Sequence, residues 1–141
     1  MRHFFALLAV LCLSAALTAC ASPAPIAPGA TEWEVTLVDH SIRPAQWRVP
    51  ANQLLSVTVK NEDPQAHTLY VLSRSYASPW DEADRAAVIA SVEVPAGESL
   101  LWLFTSPQAA GEYDVIAAPP LAEEGMVAVL LVVQPSEPVN P

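Results

Sequence analysis

The sequence contains little cysteine, glycine or positive charge, and each shortage excludes a class of protein. Both cysteines, Cys12 and Cys20, lie in the first twenty residues, so the rest of the chain offers no disulfide and no thiolate for metal binding or catalysis. Six Lys and Arg against fifteen Asp and Glu give a net charge of −9, which argues against nucleic-acid binding. Four glycines against fourteen prolines predict short strands joined by stiff turns rather than long helices.

The N-terminal segment predicts export and a lipid anchor. The apolar run FFALLAVLCLSAAL follows a short basic start, so residues 1–19 are predicted to be a signal peptide. The run is shorter than the roughly 20 residues that cross a bilayer. It ends in LTAC, which resembles the lipobox of bacterial lipoproteins, where the Cys thiol is lipidated and becomes the new N-terminus. We therefore predict lipidation of Cys20 and anchoring in the bacterial cell envelope, facing the periplasm or the exterior. The alternative is an ordinary signal peptide in which Cys20 is incidental.

The rest of the chain divides into a linker, a folded domain and a tail. Residues 20–30 are rich in proline and predict an extended linker, and residues 135–141 predict a flexible tail. The domain predicted over residues 31–134 draws on a chain that is 52% hydrophobic, enough for a core. In EWEVTLV, for example, Trp33, Val35 and Leu37 alternate with polar residues, as in a half-buried strand.

About seven such short segments, separated by turn signals, predict an all-β sandwich. One segment departs from this pattern. Ser78-Pro79-Trp80-Asp81-Glu82 combines a capping residue, a proline at the first helical position and acidic residues in the first turn. The sequence therefore predicts one short inserted helix over about residues 79–90.

Two strands lack the alternation that a sandwich normally shows. LLWLF (100–104) and MVAVLLVV (126–133) are apolar on both faces, and a strand of this kind has to be covered on both sides. We expect both to be central strands that lie beneath the helix. The alternative is an exposed apolar patch that binds a partner.

Two long stretches resemble the cupredoxins, the small β-sandwich proteins that hold copper in blue copper proteins. VTLVDHSIRPAQWRVPANQLLSVTVKNEDPQAHTLYV resembles the first half of the family, including the "VPA" segment and the Asn-ended strand before a His. SVEVPAGESLLWLFTSPQAAGEYDVIAAPPLAEEGMVAVLLV resembles the second half, from the "VPAGES" turn through "GEYD" to "GM". The resemblance covers about residues 31–133 and implies a cupredoxin-like Greek-key β-sandwich.

The resemblance also implies where copper ligands would lie. His67 matches the first His of the family and Met126 matches the axial Met, whereas Ala117 stands where the Cys thiolate is expected. The second His is expected at Leu121 or Ala122, and no His follows residue 67. Type 1 copper requires two imidazoles and a thiolate, so we predict that this site is lost and that no cofactor is bound.

Two functions remain open from the sequence. We predict a membrane-anchored cupredoxin-like module that acts in binding or assembly with an unknown envelope partner. The alternative is a periplasmic copper-binding or electron-transfer accessory protein, in which His67 and Met126, with His40 as a third group, bind copper weakly; a partner supplying the missing ligands in trans is a further variant. No nucleophile motif accompanies the histidines, so the chain is not predicted to be an enzyme.

Overall fold

Two β-sheets packed face to face, with one short helix, make up the part of the chain that the computed structural model describes, residues 29–135. The predicted signal peptide 1–19, the lipidation site Cys20 and most of the predicted linker lie outside the described residues, as does most of the predicted tail. The predicted all-β sandwich with a short inserted helix is confirmed.

Residues 29–135 contain nine strands rather than about seven. In chain order they are β1 (Glu32–Val38), β2 (Ser41–Arg43), β3 (Gln46–Pro50), β4 (Leu54–Asn61), β5 (His67–Leu72), β6 (Val88–Val94), β7 (Ser99–Thr105), β8 (Gly111–Ala117) and β9 (Val127–Val133). The first sheet has the order β2-β1-β4-β7, and the second has the order β3-β9-β8-β5-β6. The two shortest strands, β2 and β3, are separated only by Pro44 and Ala45.

The β3 strand shows why that segment is ordered. Trp47 and Val49 are fully buried, so β3 places its apolar side chains in the core between the sheets. The indole Nε1 of Trp47 donates to the carbonyl of Pro44 at 2.8 Å, which satisfies the one polar atom of this side chain. β3 runs parallel to β9, and β1 runs parallel to β4. The alternation predicted for β1 is confirmed, because Val35 and Leu37 are buried.

The helix is shorter than predicted. Helix α1 spans Glu82–Ala86 instead of 79–90, and its N-terminus is closed by a reciprocal capping box between Asp81 and Asp84. Residues 88–94 form β6 instead, which pairs with β5. Pairing with a neighbouring strand outweighs helical propensity at the β-branched Val88 and Ile89. No helix within residues 29–135 is long and apolar enough to cross a membrane.

The segment that contains α1 covers the outer face of the five-stranded sheet. Leu72, Ile116 and Ala122 form a second buried cluster there, on which Trp80 packs. The Trp80 ring stacks on Tyr70 with ring centroids 5.4 Å apart. Because β9 lies between β3 and β8 in this sheet, the prediction of a central strand is confirmed for β9. Of the outward-facing residues of β9, Val127 packs on the second cluster.

The same prediction is wrong for β7. This strand is at the edge of the four-stranded sheet, on the side of the sandwich that carries no helix. Leu101 and Leu103 are 59% and 53% exposed, and Leu54 on the neighbouring β4 is 62% exposed. The three leucines lie on the outer face of the sheet, where they form the leucine patch. The expected alternative, an exposed apolar patch, is therefore what the structure shows.

Candidate functional site

The candidate site lies at the end of the sandwich where β4 ends and β5 begins. Asn61, the last residue of β4, is buried and connects the 62–66 loop to the neighbouring sheet. Its Nδ2 donates to the carbonyls of Gln65 at 2.8 Å, Val94 at 3.1 Å and Pro95 at 3.2 Å. Its Oδ1 accepts the backbone N–H of Asp63 at 3.0 Å. One amide group thus fixes the path of the loop that leads to His67.

The Asp63 carboxylate joins this loop to the β1–β2 turn and to His67. Its Oδ2 lies 2.8 Å from Nε2 of His67, and its Oδ1 accepts the backbone N–H of Asp39 at 2.9 Å. Asp39 and His40 both have left-handed backbones, with φ of 50° and 55°, a conformation that costs free energy outside glycine. The carboxylate offsets this cost by hydrogen-bonding the turn.

The hydrogen bond to Asp63 determines which ring nitrogen of His67 carries the hydrogen. Burial acts to raise the pKa of Asp63, but the hydrogen bond from His67 and the backbone N–H groups of Asp39 and His40 outweigh it, so the pKa lies below its ordinary value. An ionised carboxylate only accepts hydrogen bonds, so Nε2 of His67 carries the hydrogen. In the neutral ring, Nδ1 then carries the lone pair. This atom is buried and has no hydrogen-bond partner among residues 29–135.

The loop between β8 and β9 forms the other half of the site. The backbone N–H of Met126 donates to the carbonyl of Leu121 at 3.0 Å, and the N–H of Ala117 donates to the carbonyl of Met126 at 3.0 Å. Gly125 precedes Met126 with a φ of 97°, which a side chain would strain. The loop is joined to β5 as well, because Ala118 donates to the carbonyl of Thr68 at 2.8 Å.

The structure brings most of the residues singled out by the sequence to this end. His67, Ala117 and Met126 are all buried, and Leu121 packs against the main core. His67 and Leu121 also line one cleft of about 230 Å³, together with Gln65, Thr68 and residues 118–120. His40 differs from them, because it is exposed on its turn and its Nε2 lies 3.5 Å from Nε2 of Gln65.

These side chains do not fit a type 1 copper ion. Ala117 presents a methyl group and Leu121 an isobutyl group where the thiolate and the second imidazole are required, and neither has a lone pair to donate. The donors that remain are Nδ1 of His67 and the thioether of Met126. Within residues 29–135, no three His, Cys, Asp or Glu side chains group closely enough to hold a metal ion.

Sequence reasoning missed the two residues that organise the site. No motif marks Asp63, although it precedes His67 by four residues, and Asn61 is marked only as the end of the strand before the His. Neither role follows from spacing alone, because the partners of Asn61 include Val94 and Pro95, more than thirty residues away.

We expect Asp63→Asn to reverse the tautomer of His67. The Asn Oδ1 keeps the bond from Asp39, which leaves its NH₂ group to donate to Nε2, so the ring proton moves to Nδ1. Imidazole ¹⁵N chemical shifts measure this change directly, with the exposed His40 as an internal control. A wild-type ring already protonated on Nδ1 would contradict the assignment.

The lowered pKa of Asp63 also predicts a pH-dependent stability. A carboxyl group whose folded pKa is depressed stabilises the fold above its unfolded pKa of about 3.9, and this stabilisation disappears as the pH falls through the folded pKa. Asp63→Asn should therefore lower the free energy of unfolding by about 1–3 kcal/mol at pH 7, and by less at pH 3. Urea titrations of both proteins measure the difference. Glu124→Gln, at an exposed position, serves as the control, and an equal Asp63→Asn effect at both pH values would refute the prediction.

Known structures with the same fold include several auracyanins. Dithionite-reduced auracyanin from the photosynthetic bacterium Roseiflexus castenholzii is 26% identical, covers 74% of this chain and 98% of its own, and has a TM-score of 0.62. Auracyanin B is 18% identical over 77% of this chain and 93% of its own, with a TM-score of 0.62. Auracyanin A from Chloroflexus aurantiacus, described as a "blue" copper protein, is 21% identical over 72% and 98%, with a TM-score of 0.60. The latter two show the fold alone.

Family membership rests on the sequence as well as on the fold. No curated protein matches the chain significantly. The sequence pattern that defines the cupredoxin-like domain, however, matches residues 6–129, most of the chain. The protein therefore belongs to the cupredoxin-like domain family.

Proposed function

We propose that the protein is a lipid-anchored module of the bacterial cell envelope that acts by binding or assembly and holds no type 1 copper. The observation that carries this proposal is the replacement of two copper donors by Ala117 and Leu121. Ala117 is fully buried, and Leu121 packs against the core. Neither side chain has a donor atom for copper, so electron transfer through such a centre is not the task that we propose.

The hydrogen bonds of the site support this proposal because they hold the loops without a metal ion. Asn61 and Asp63 fix one loop through five side-chain hydrogen bonds to backbone groups, and the 118–125 loop is closed by its own backbone bonds. In particular, Gly125 donates to Ala122 at 3.1 Å and Met126 donates to Leu121 at 3.0 Å. These two loops therefore form an ordered surface that a partner can recognise.

The location of residues 30 and 31 in the fold supports a tether at Cys20. Ala30 donates to the carbonyl of Arg48 at 2.9 Å, and Thr31 accepts the N–H of Ser56 at 2.8 Å, both at the end of the sandwich where β1 begins. The β1–β2 turn that contacts Asp63 lies at the other end of β1, roughly 20 Å away for a strand of this length. A tether that enters here leaves the His67 end uncovered.

One observation favours a second candidate function. The buried Nδ1 of His67 has no hydrogen-bond partner among residues 29–135, and imidazole with thioether suits Cu(I). The auracyanins, similar in fold, include a "blue" copper protein. The second candidate is accordingly a copper-binding accessory protein using His67 and Met126, with or without ligands supplied by a partner. Two donors bind copper far more weakly than four.

Copper titration separates the two candidates. We expect the full chain purified from membranes to contain no stoichiometric copper, to show no intense absorption toward the red end of the visible spectrum, and to bind Cu(I) no more tightly than about 1 mM, roughly −4 kcal/mol. The double variant Ala117→Cys, Leu121→His restores the missing donors and serves as the positive control for the spectrum. A blue wild-type protein overturns the proposal. Tight Cu(I) binding that His67→Ala abolishes establishes the second candidate instead.

The anchor has its own test. We expect Cys20→Ser to release the protein from the membrane fraction and to prevent incorporation of labelled palmitate, because the Cys20 thiol is the group that is lipidated. Cys12→Ser is the matched control and should leave both readouts unchanged. A wild-type protein that fractionates as soluble and takes up no label would contradict the anchor.

A further inference from the structure

Strand β7 is the least protected sheet edge within residues 29–135. Four strands lie at sheet edges, and an unpaired edge offers backbone N–H and C=O groups to any other strand. Three of these edges are protected. Strand β2 has only three residues, and β3 carries Arg48 and accepts a backbone hydrogen bond from Ala30. Strand β6 carries Glu93 and pairs with β5 through an irregular register. By contrast, the seven residues of β7 include no charge and no proline.

The hydrogen bonds between β4 and β7 show which backbone groups point outward. At one end, Asn61 donates to the carbonyl of Glu98 at 2.8 Å, and at the other, Ser106 donates to the carbonyl of Gln53 at 2.9 Å. The register between these points is unbroken. Because bonding alternates along an antiparallel ladder, the even-numbered residues bond to β4. The N–H and C=O groups of the odd-numbered residues, Ser99, Leu101, Leu103 and Thr105, face the free edge.

The sequence of β7 is nearly palindromic. In SLLWLFT, the residues at equal distances on the two sides of Trp102 are similar: Leu and Leu, then Leu and Phe, then Ser and Thr. A two-fold symmetric contact requires residue i to meet j and j to meet i. If two β7 strands pair antiparallel about Trp102, Leu101 meets Leu103 of the copy and Ser99 meets Thr105. All of these are outward-bonding residues, so both the backbone groups and the side chains match.

We propose that β7 pairs with β7 of a second copy of this chain, antiparallel and centred on Trp102, which joins two four-stranded sheets into one. The proposal deepens the proposed function, since it names the partner of a module that acts by assembly. In this register Glu98 lies opposite Ser106 of the copy, so no two acids meet at the interface. A chain of net charge −9 repels itself over most other surfaces, whereas β7 is neutral.

The pairing extends the leucine patch. Leu101 and Leu103 of both copies stand side by side on the outer face, and Leu54 lies diagonal to Leu103 on each side. A contact one strand wide stays below the roughly 1,200 Å² of a stable interface, so it is weak between free molecules. Anchoring at Cys20 raises the local concentration of the two copies, and the membrane is where the dimer forms.

Cysteine crosslinking in membranes tests both the contact and its register. Leu101→Cys and Leu103→Cys are introduced into separately tagged full-length chains that are expressed together. Opposite residues place their Cα atoms about 5.5 Å apart, within disulfide reach, whereas two copies of Leu101→Cys lie diagonally, beyond the limit of about 7 Å. We expect the mixed pair to crosslink under mild oxidation at least about five-fold more than either variant alone. Leu54→Cys, equally exposed on the same face but one strand from the edge, should not crosslink to itself.

Each outcome decides the proposal. Absence of the mixed crosslink overturns it, as does crosslinking of Leu54→Cys as efficiently as the mixed pair, which would indicate face-to-face packing of the leucine patch. Crosslinking of Leu101→Cys to a different envelope protein also overturns the second copy as partner but leaves the proposed function standing. A crosslink in the parent chain reports a free Cys20 and contradicts the anchor rather than the dimer. Thermal melts confirm that the variants fold.

A charge on the edge gives an independent measurement. Leu101→Lys places like charges across the two-fold axis and should lower the dimer fraction of the full chain in lipid vesicles at least about ten-fold, measured by energy transfer between fluorescently labelled copies over a series of surface densities. Leu54→Lys has the same charge and similar exposure but lies off the edge, so it should leave the fraction unchanged. Equal effects of both substitutions would refute pairing through β7.

Discussion

The Asp63 carboxylate is the interaction on which the functional end of the molecule depends. It accepts hydrogen bonds from the left-handed β1–β2 turn and from Nε2 of His67, and Asn61 fixes the loop on which it lies. Because this carboxylate is ionised, it determines the tautomer of His67 and turns the Nδ1 lone pair toward the protein interior. The hydrogen bond to Asp63 thus holds the His67 ring in a defined orientation.

This arrangement explains how a copper-binding fold persists after its donor set is lost. In a metal site, ligands are positioned by surrounding hydrogen bonds, and here Asn61 and Asp63 position His67 although Ala117 and Leu121 offer hydrocarbon where donors are expected. These apolar side chains pack with the core and bring no polar group that needs a partner. The donors left at this end are Nδ1 of His67 and the thioether of Met126.

The outer faces of the two sheets differ in whether another segment packs on them. This difference separates the structural part of the molecule from the part available to partners. The five-stranded sheet is covered on its outer side by the segment around α1, where Trp80 stacks on Tyr70. Within residues 29–135 the four-stranded sheet has no such cover, and one of its two edges is the uncharged β7. Natural sheets usually protect an edge with charge or proline. An edge left without either is best understood as one that another strand occupies.

The sequence by itself determined the fold class and the content of the site. Alternating strands and turn residues are local properties and need no coordinates, whereas His67, Ala117 and Met126 were identified by the resemblance to the cupredoxins. The helix bounds, the roles of Asn61 and Asp63 and the edge position of β7 were decided by the tertiary structure. Each depends on partners distant in the chain: β5 converts Val88–Val94 to a strand, Val94 and Pro95 complete the bonds of Asn61, and sheet order alone decides whether an apolar strand such as β7 is covered or exposed.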